Sequence, residues 1–227
     1  MKKITFIIIV FALWNSVVQA QISIGVRTGF NLATWSYTPK NTTSNTNYTI
    51  TEPLLLGFTF VMPIEVKLSN NFALQPELSF IQKGFTQKRE SGSDYVQDTY
   101  IFNYLEVPLL AKIILGNKKF KVGVLAGPSF GYLVSGRDVT AYGASQKFYV
   151  YNKNIDFNDA INKTTNRFDI GLVLGVQPAY NITDYSRIFF DARYQLGLSD
   201  IKNDSPDNTQ IFNRGIGLSV GAFTYFK

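Results

Sequence analysis

A strict two-residue alternation constrains this chain more than any other feature, and it is clearest in the final segment. Between Arg214 and Lys227, Ile216, Leu218, Val220, Ala222 and Thr224 fall on one face, ending at Phe226. Gly215, Gly217, Ser219 and Gly221 fall on the other. A period of two is that of a β-strand, whose successive side chains point to opposite faces. Most of the chain after residue 20 repeats the pattern over stretches long enough to cross a bilayer. An apolar face backed by a small, polar or charged one suits a barrel with lipid outside and polar side chains within. The sequence therefore predicts an all-β fold, an eight-stranded antiparallel up-and-down transmembrane β-barrel.

Eight segments carry the alternation: 22–35, 54–68, 72–87, 96–115, 120–135, 167–180, 187–198 and 213–226. The connections after the second, fourth and sixth are short and rich in Asn, Gly, Asp and Ser, as tight turns require. Those after the first, third, fifth and seventh are longer, over 36–53, 88–95, 136–166 and 199–212. Short turns on the periplasmic side and long loops outside are the outer-membrane arrangement. An even strand count then puts both termini in the periplasm. Closure also removes sheet edges that lipid cannot satisfy. One helical turn is expected over Asp156–Asn162. Pro63, Pro76, Pro108, Pro128 and Pro178 fall inside the predicted strands, where each removes a ladder donor. Bulges or shifted strand limits are expected there, close to Glu77 and Glu106.

The N-terminus reads as a secretory signal peptide: Lys2 and Lys3, an apolar run from Ile4 to Trp14, and small residues leading to cleavage between Ala20 and Gln21. Residues 1–20 are then the signal and 21–227 the barrel domain. No Cys follows the cleavage point, so a lipoprotein anchor is excluded. No later segment is apolar for the roughly 20 residues that a spanning helix needs.

The chain has no Cys and no His. Disulfides, Ser-His-Asp catalysis and imidazole-based metal sites are all excluded. Chemistry by Asp and Glu alone stays formally open, but no enzyme, cofactor or metal is expected. Asp200, Asp204, Asp207 and Asn208 offer hard oxygens, yet their spacing misses the calcium-loop pattern. Four Asn-x-Thr sites, at Asn41, Asn47, Asn162 and Asn181, read as chance in Asn/Thr-rich loops. Removal of Lys2 and Lys3 leaves 20 basic side chains against 16 acidic ones. They are scattered rather than clustered with aromatics on one face, so no nucleic-acid partner is expected.

On the polar faces, the alternation places Arg27, Lys67, Lys83, Lys112 and Arg193 in the lumen. It places Glu65, Glu77, Glu106, Asp169 and Asp191 there too. Eight strands leave an interior that side chains just fill, and opposite charges packed there need partners. The expectation is an ion-paired plug, with a narrow pore or proton path as the functional alternative. A wide porin lumen needs about twice as many strands. Trp35, Phe85, Tyr100, Phe102, Tyr132, Phe168, Tyr180, Tyr194, Tyr225 and Phe226 lie near strand ends and read as an aromatic girdle at the membrane–water boundary. Tyr142, Phe148, Tyr149 and Tyr151, in the longest loop, suit sugar or peptide binding better.

Two stretches carry a family resemblance. Leu74-Gln-Pro-Glu-Leu-Ser-Phe-Ile-Gln-Lys-Gly84 and Tyr104-Leu-Glu-Val-Pro-Leu-Leu-Ala-Lys112 resemble signatures of the outer-membrane β-barrel proteins of Bacteroidetes, the group that includes PorT-like proteins. The resemblance implies an eight-stranded barrel inserted by the outer-membrane barrel assembly machinery, with Tyr225 and Phe226 as the terminal assembly signal. It makes outer-membrane lipid a partner. A structural or interaction role is expected, and two alternatives stand beside it. One is a component of a type IX secretion apparatus, with secretion proteins as partners. The other, from the alternation alone, is a soluble lipocalin-like ligand-binding barrel, which would need the apolar face inside.

Overall fold

The computed structural model describes residues 21–38, 49–144, 147–156, 165–202 and 209–225. The regular elements there are strands: β1 (Gln21–Thr38), β2 (Thr49–Thr51), β3 (Leu55–Lys67), β4 (Phe72–Ser91), β5 (Asp94–Gly116), β6 (Phe120–Ala144), β7 (Lys147–Asn154), β8 (Phe168–Asn181), β9 (Ser186–Gly197) and β10 (Gln210–Tyr225). Eight of them close a ring of antiparallel neighbours in the order β1, β3, β4, β5, β6, β8, β9, β10. The closing seam joins the first and last strands from Ser23↔Tyr225 to Thr38↔Gln210. Residues 1–20, with Ala20 of the cleavage site, and Phe226 lie outside the described residues, as does most of the predicted helical turn.

The alternation builds the ring. Along β3, Leu56, Phe58, Phe60, Met62 and Ile64 face outward and exposed, while Thr59, Val61 and Glu65 are buried in the bore. The same division runs around the wall, with Leu105, Val107, Leu109, Leu172, Leu174, Leu218 and Val220 all outside. An apolar band of this extent suits lipid and would be an aggregation hazard in water. A lipocalin-like barrel has the opposite polarity.

Three tight turns close one end. Asn117 Oδ1 accepts from the backbone N–H groups of Lys119 and Phe120, each at 2.9 Å, the Asx geometry that makes Asn a turn residue. The others return through Leu68 N–H to Phe72 O and Ile182 N–H to Ser186 O, each at 3.0 Å.

At the opposite end the structure departs from the predicted loops. The segment 88–95 is no loop: β4 and β5 continue through it to a two-residue turn at Gly92 and Ser93, with Ser91 opposite Asp94. In 136–166, β6 runs on to Ala144 and β7 pairs back along it from Arg137↔Asn154 to Ala144↔Lys147. β2 pairs with the far part of β4. The result is a five-stranded extension, β2–β4–β5–β6–β7, beyond the ring. This part lacks the regular apolar and polar alternation of the ring, so its strands carry no amphipathic signal in the sequence.

One register shift, between Asn103 and Tyr104 against β6, inserts a residue into β6 and hands its inward face to Gly136, Asp138, Thr140 and Tyr142. It is not at a proline. The prolines keep register, and each sits in a two-residue gap of one ladder instead. The β3–β4 pairing stops at Pro63↔Glu77 and resumes at Val66↔Leu74, skipping Pro76. Comparable gaps skip Pro63 between β1 and β3, Pro108 between β4 and β5, Pro128 between β5 and β6, and Pro178 between β8 and β9. A missing donor thus interrupts the ladder without shifting it.

Candidate functional site: the charged bore

Ten charged side chains are buried in the bore among the described residues: Arg27, Lys83, Lys112, Arg187 and Arg193 against Glu65, Glu77, Glu106, Asp169 and Asp191. They fall into three layers because neighbouring strands deliver inward positions at matched heights.

Nearest the tight turns, Glu65 from β3 meets Lys112 from β5 at 2.7 Å and Arg187 from β9 at 2.6 Å. Lys112 also donates to Gln75 at 2.9 Å and to Gln177. Arg187 donates to the Tyr225 hydroxyl at 2.9 Å and lies 4.3 Å from the Phe223 ring centroid. The middle layer centres on Glu77. Arg193 grips it with two bonds of 2.7 and 2.8 Å, Arg27 reaches it at 3.2 Å, and Gln75 donates at 2.7 Å. Asp191 joins through Arg193 Nε at 2.5 Å and Gln177 at 2.9 Å. Bidentate guanidinium–carboxylate contacts of this kind are among the stronger and more directional polar interactions. In the third layer Lys83 bridges Glu106 and Asp169, the latter at 2.8 Å. Asn213 and Ser199 donate to Asp169 at 2.9 and 3.0 Å.

Apolar groups fill the space between and beyond the layers. Leu110, Leu125 and Val173 line one wall, and Ala179, Phe189 and Phe223 pack near the tight-turn end. Toward the extension, Ile81, Phe102, Tyr104, Leu133 and Ile201 form a cluster against which Trp35, Ile155 and Ile211 pack.

Of the predicted lumen residues, Lys67 stands apart. It is half-buried at the tight-turn mouth, bonds Gln21 Oε1 at 3.0 Å and sits 4.6 Å from the Tyr225 ring centroid. It is the last residue of β3 and makes no close ion pair among the described residues. Arg187, Gln75 and Gln177 are network members that the charge pattern left out. Arg187 shares its inward parity with Asp191 and Arg193, which was the available signal.

The predicted aromatic girdle divides in two. Tyr132, Phe168, Tyr180 and Tyr194 are exposed on the outer wall, with Tyr132 and Phe168 packed edge to face at 5.2 Å. Trp35, Phe85, Tyr100 and Phe102 instead point inward at the other mouth: Trp35 stacks on Phe85 at 5.1 Å and Tyr100 at 5.8 Å, with Phe102 at 5.7 Å. Tyr225 is likewise buried, held by Arg187. Asp200 caps local backbone, accepting from Lys202 and Ile211 N–H at 3.0 and 2.9 Å. Asp204, Asp207 and Asn208 lie outside the described residues.

Residues 18–203 match the outer membrane protein beta-barrel domain. The chain belongs to that family. The match runs from before β1 to the approach to β10, the strand that completes this family barrel. Comparison with curated proteins finds no match. Similar solved structures include OprG from Pseudomonas aeruginosa, at 11% identity and TM-score 0.48, over 90% of this chain and 95% of that one. Neisserial surface protein A aligns at 12% identity and TM-score 0.44, over 90% and 97%. The outer membrane protease OmpT of Escherichia coli aligns at 9% identity and TM-score 0.48, over 91% and 97%.

Proposed function

We propose that this outer-membrane barrel is a closed, non-conducting scaffold, not an enzyme, whose role is to hold the β2–β4–β5–β6–β7 extension outside the cell for interaction. The observation that carries this reading is the bore. Its five cations and five anions are paired in layers, and apolar side chains occupy the space between them. A conducting path would need water where Glu77 grips Arg193. In this reading the signal peptide is cleaved before Gln21, and the tight turns and both termini are periplasmic. Tyr225 and Phe226 are then the signal read by the assembly machinery.

Within the family, the narrower kinship with PorT-like Bacteroidetes barrels rests on 74–84 and 104–112. These stretches deliver Gln75, Glu77, Lys83, Tyr104, Glu106 and Lys112 to the bore, so the shared signature is a packing device and does not point to secretion.

The test is single-channel recording in a planar bilayer. Intact protein is expected to give no conductance steps. The double change Glu77→Ala and Arg193→Ala, which removes the central pair of the middle layer, is expected to give small ones. Steps from the intact protein would overturn the closed-bore reading.

A further inference from the structure

Among the described residues, the outer edge of β7 has no neighbouring strand. Every residue from Lys147 to Asn154 is exposed, and β7 pairs with β6 on one side only among the described residues. The direction of its main-chain groups follows from one bond. Ile155 N–H donates to Gly136 O at 2.9 Å, continuing the register Arg137↔Asn154. In an antiparallel ladder, residues that exchange bonds alternate with residues that exchange none. Lys153, Tyr151, Tyr149 and Lys147 therefore spend their main-chain groups on β6. Phe148, Val150, Asn152 and Asn154 turn theirs away, toward open space.

Such an edge is a template for another strand, and proteins normally blunt it with Pro, bulges, charge or a covering segment. Here the lysines stand only near the ends, and the centre reads Phe148-Tyr-Val-Tyr151. Phe148 is 63% exposed, Val150 52% and Tyr151 60%. Both faces already carry half of a cross-strand pairing surface. Tyr142 stacks on Tyr149 at 5.1 Å and on Tyr151 at 5.7 Å on the inward face, and Tyr95 approaches Phe148 at 6.5 Å on the outward one. An added strand would continue both rows.

We propose that this edge binds an extended peptide segment of another protein by strand addition, a segment with alternating apolar side chains and acidic ends. Main-chain bonds supply affinity in this mode and alternate side chains supply choice. Charge decides between occupants. β7 holds Lys147 and Lys153 and no acid. Lys153 faces Asp138 across the ladder, while Lys147 faces Ala144. Two copies edge to edge would bring four lysines to one seam, and like charges across strands repel. An acidic-ended peptide meets both. This names the partner class for the exposed extension and rests on the scaffold reading for the side of the membrane concerned.

The test uses the full chain in detergent micelles and a fluorescent ten-residue peptide of alternating Val and Thr between terminal glutamates. Anisotropy is expected to show saturable binding, with protection of the Val150 amide against hydrogen exchange. Val150→Pro removes an edge donor without removing a bond to β6, and is expected to weaken binding by about tenfold or more. Reversing both charges, Lys147→Glu with Lys153→Glu, is expected to transfer preference to a lysine-ended peptide. Binding unchanged by Val150→Pro, or no binding by the intact protein, would overturn the proposal. So would Val150-dependent self-association without peptide binding, which would assign the edge to a second copy. Conductance steps would overturn the closed-bore reading and leave this titration untouched.

Discussion

Arg187 Nη2 lies 2.6 Å from Glu65 Oε2, although 122 residues separate them in the chain. No local element unites them. Glu65 leaves the ring on β3 and Arg187 on β9, with β1 and β10 between them, so the bond crosses the closing seam from within. The bore network is thus a consequence of closure. Its bonds between β3 or β4 and β9 span the seam where first and last strands meet, which makes Glu65 and Glu77 reporters of a completed ring.

Glu77 is the most connected of these carboxylates, holding both Arg27 and Arg193. Glu77→Gln leaves two buried guanidinium groups, Arg27 and Arg193, with Asp191 as their single shared counter-charge, and removing one partner of a buried ion pair costs about 3–5 kcal/mol. The control is Arg89, whose contact with Asp98 lies in the extension with the arginine side chain 45% exposed. Arg89→Gln is expected to cost about 0–1 kcal/mol, as exposed pairs do. Urea unfolding in detergent, followed by the heat-modifiable gel shift, measures both. Equal losses would mean that the bore is hydrated.

Lys83 allows a finer comparison, because it serves two acids. Glu106→Gln leaves Lys83 its contact with Asp169 and is expected to cost about 1.5–3 kcal/mol, the scale of a hydrogen bond to a charged group. Lys83→Met leaves Glu106 and Asp169 buried with no cation between them and is expected to cost more, about 3 kcal/mol or above. The midpoints of unfolding for the two variants and their double should be non-additive, since both changes act on one contact.

Much of this was legible in the residues, and the losses have physical causes. Inside and outside parity follow from the period of two, so β3, β8 and β10 could be read with their bore residues. Arg187 opens the predicted strand 187–198, and its partner Glu65 lies across the closing seam, 122 residues away, so only its parity marked it as a bore residue. Trp35 was read as an interface aromatic from its place near a strand end. Its parity with Arg27, Asn31 and Ala33 already pointed it inward. The extension was read as loops because Lys88–Ser91 has no apolar face to betray it, and Lys147–Asn154 carries Phe148 and Val150 on one face and Tyr149 and Tyr151 on the other, with no alternation of apolar and polar residues. Ladder gaps at the prolines were anticipated as bulges, since a sequence shows the missing donor and not how the neighbour responds.

Gly84 and Gly92 both have positive φ, at 142° and 61°, yet their tolerance should differ. At Gly84 a Cβ would stand 1.8 Å from the Tyr100 carbonyl oxygen, so Gly84→Ala must push β4 away from β5 beside the aromatic mouth. A loss of about 2 kcal/mol or more is expected, from backbone strain added to displaced packing. At Gly92, in the β4–β5 turn, nothing lies within 4 Å of a Cβ. Asn adopts the left-handed region readily, so Gly92→Asn is expected to change stability by less than about 0.5 kcal/mol, as ordinary surface changes do. Unfolding midpoints in detergent distinguish the two, and a well-folded Gly84→Ala would disprove the close approach of β4 to Tyr100.

Trp35 offers the most direct check on which aromatics face lipid. The chain has two tryptophans, and Trp14→Phe leaves Trp35 as the sole indole whether or not the N-terminal segment is retained. Seated among Phe85, Tyr100 and Phe102, its emission is expected to be blue-shifted. Brominated lipids, which quench indoles on the outer wall, should leave it nearly unchanged. Tyr194→Trp on the same background places an indole on the exposed face and should be quenched strongly. Quenching of Trp35 to the same depth would return it to the membrane girdle and remove the aromatic closure of the mouth. With the inward placement upheld, Trp35→Ala is expected to cost about 3–5 kcal/mol, the range for emptying a packed aromatic site. Ionic quenchers added from the extension side should then reach an indole introduced at Phe102, because the ring above it has been removed.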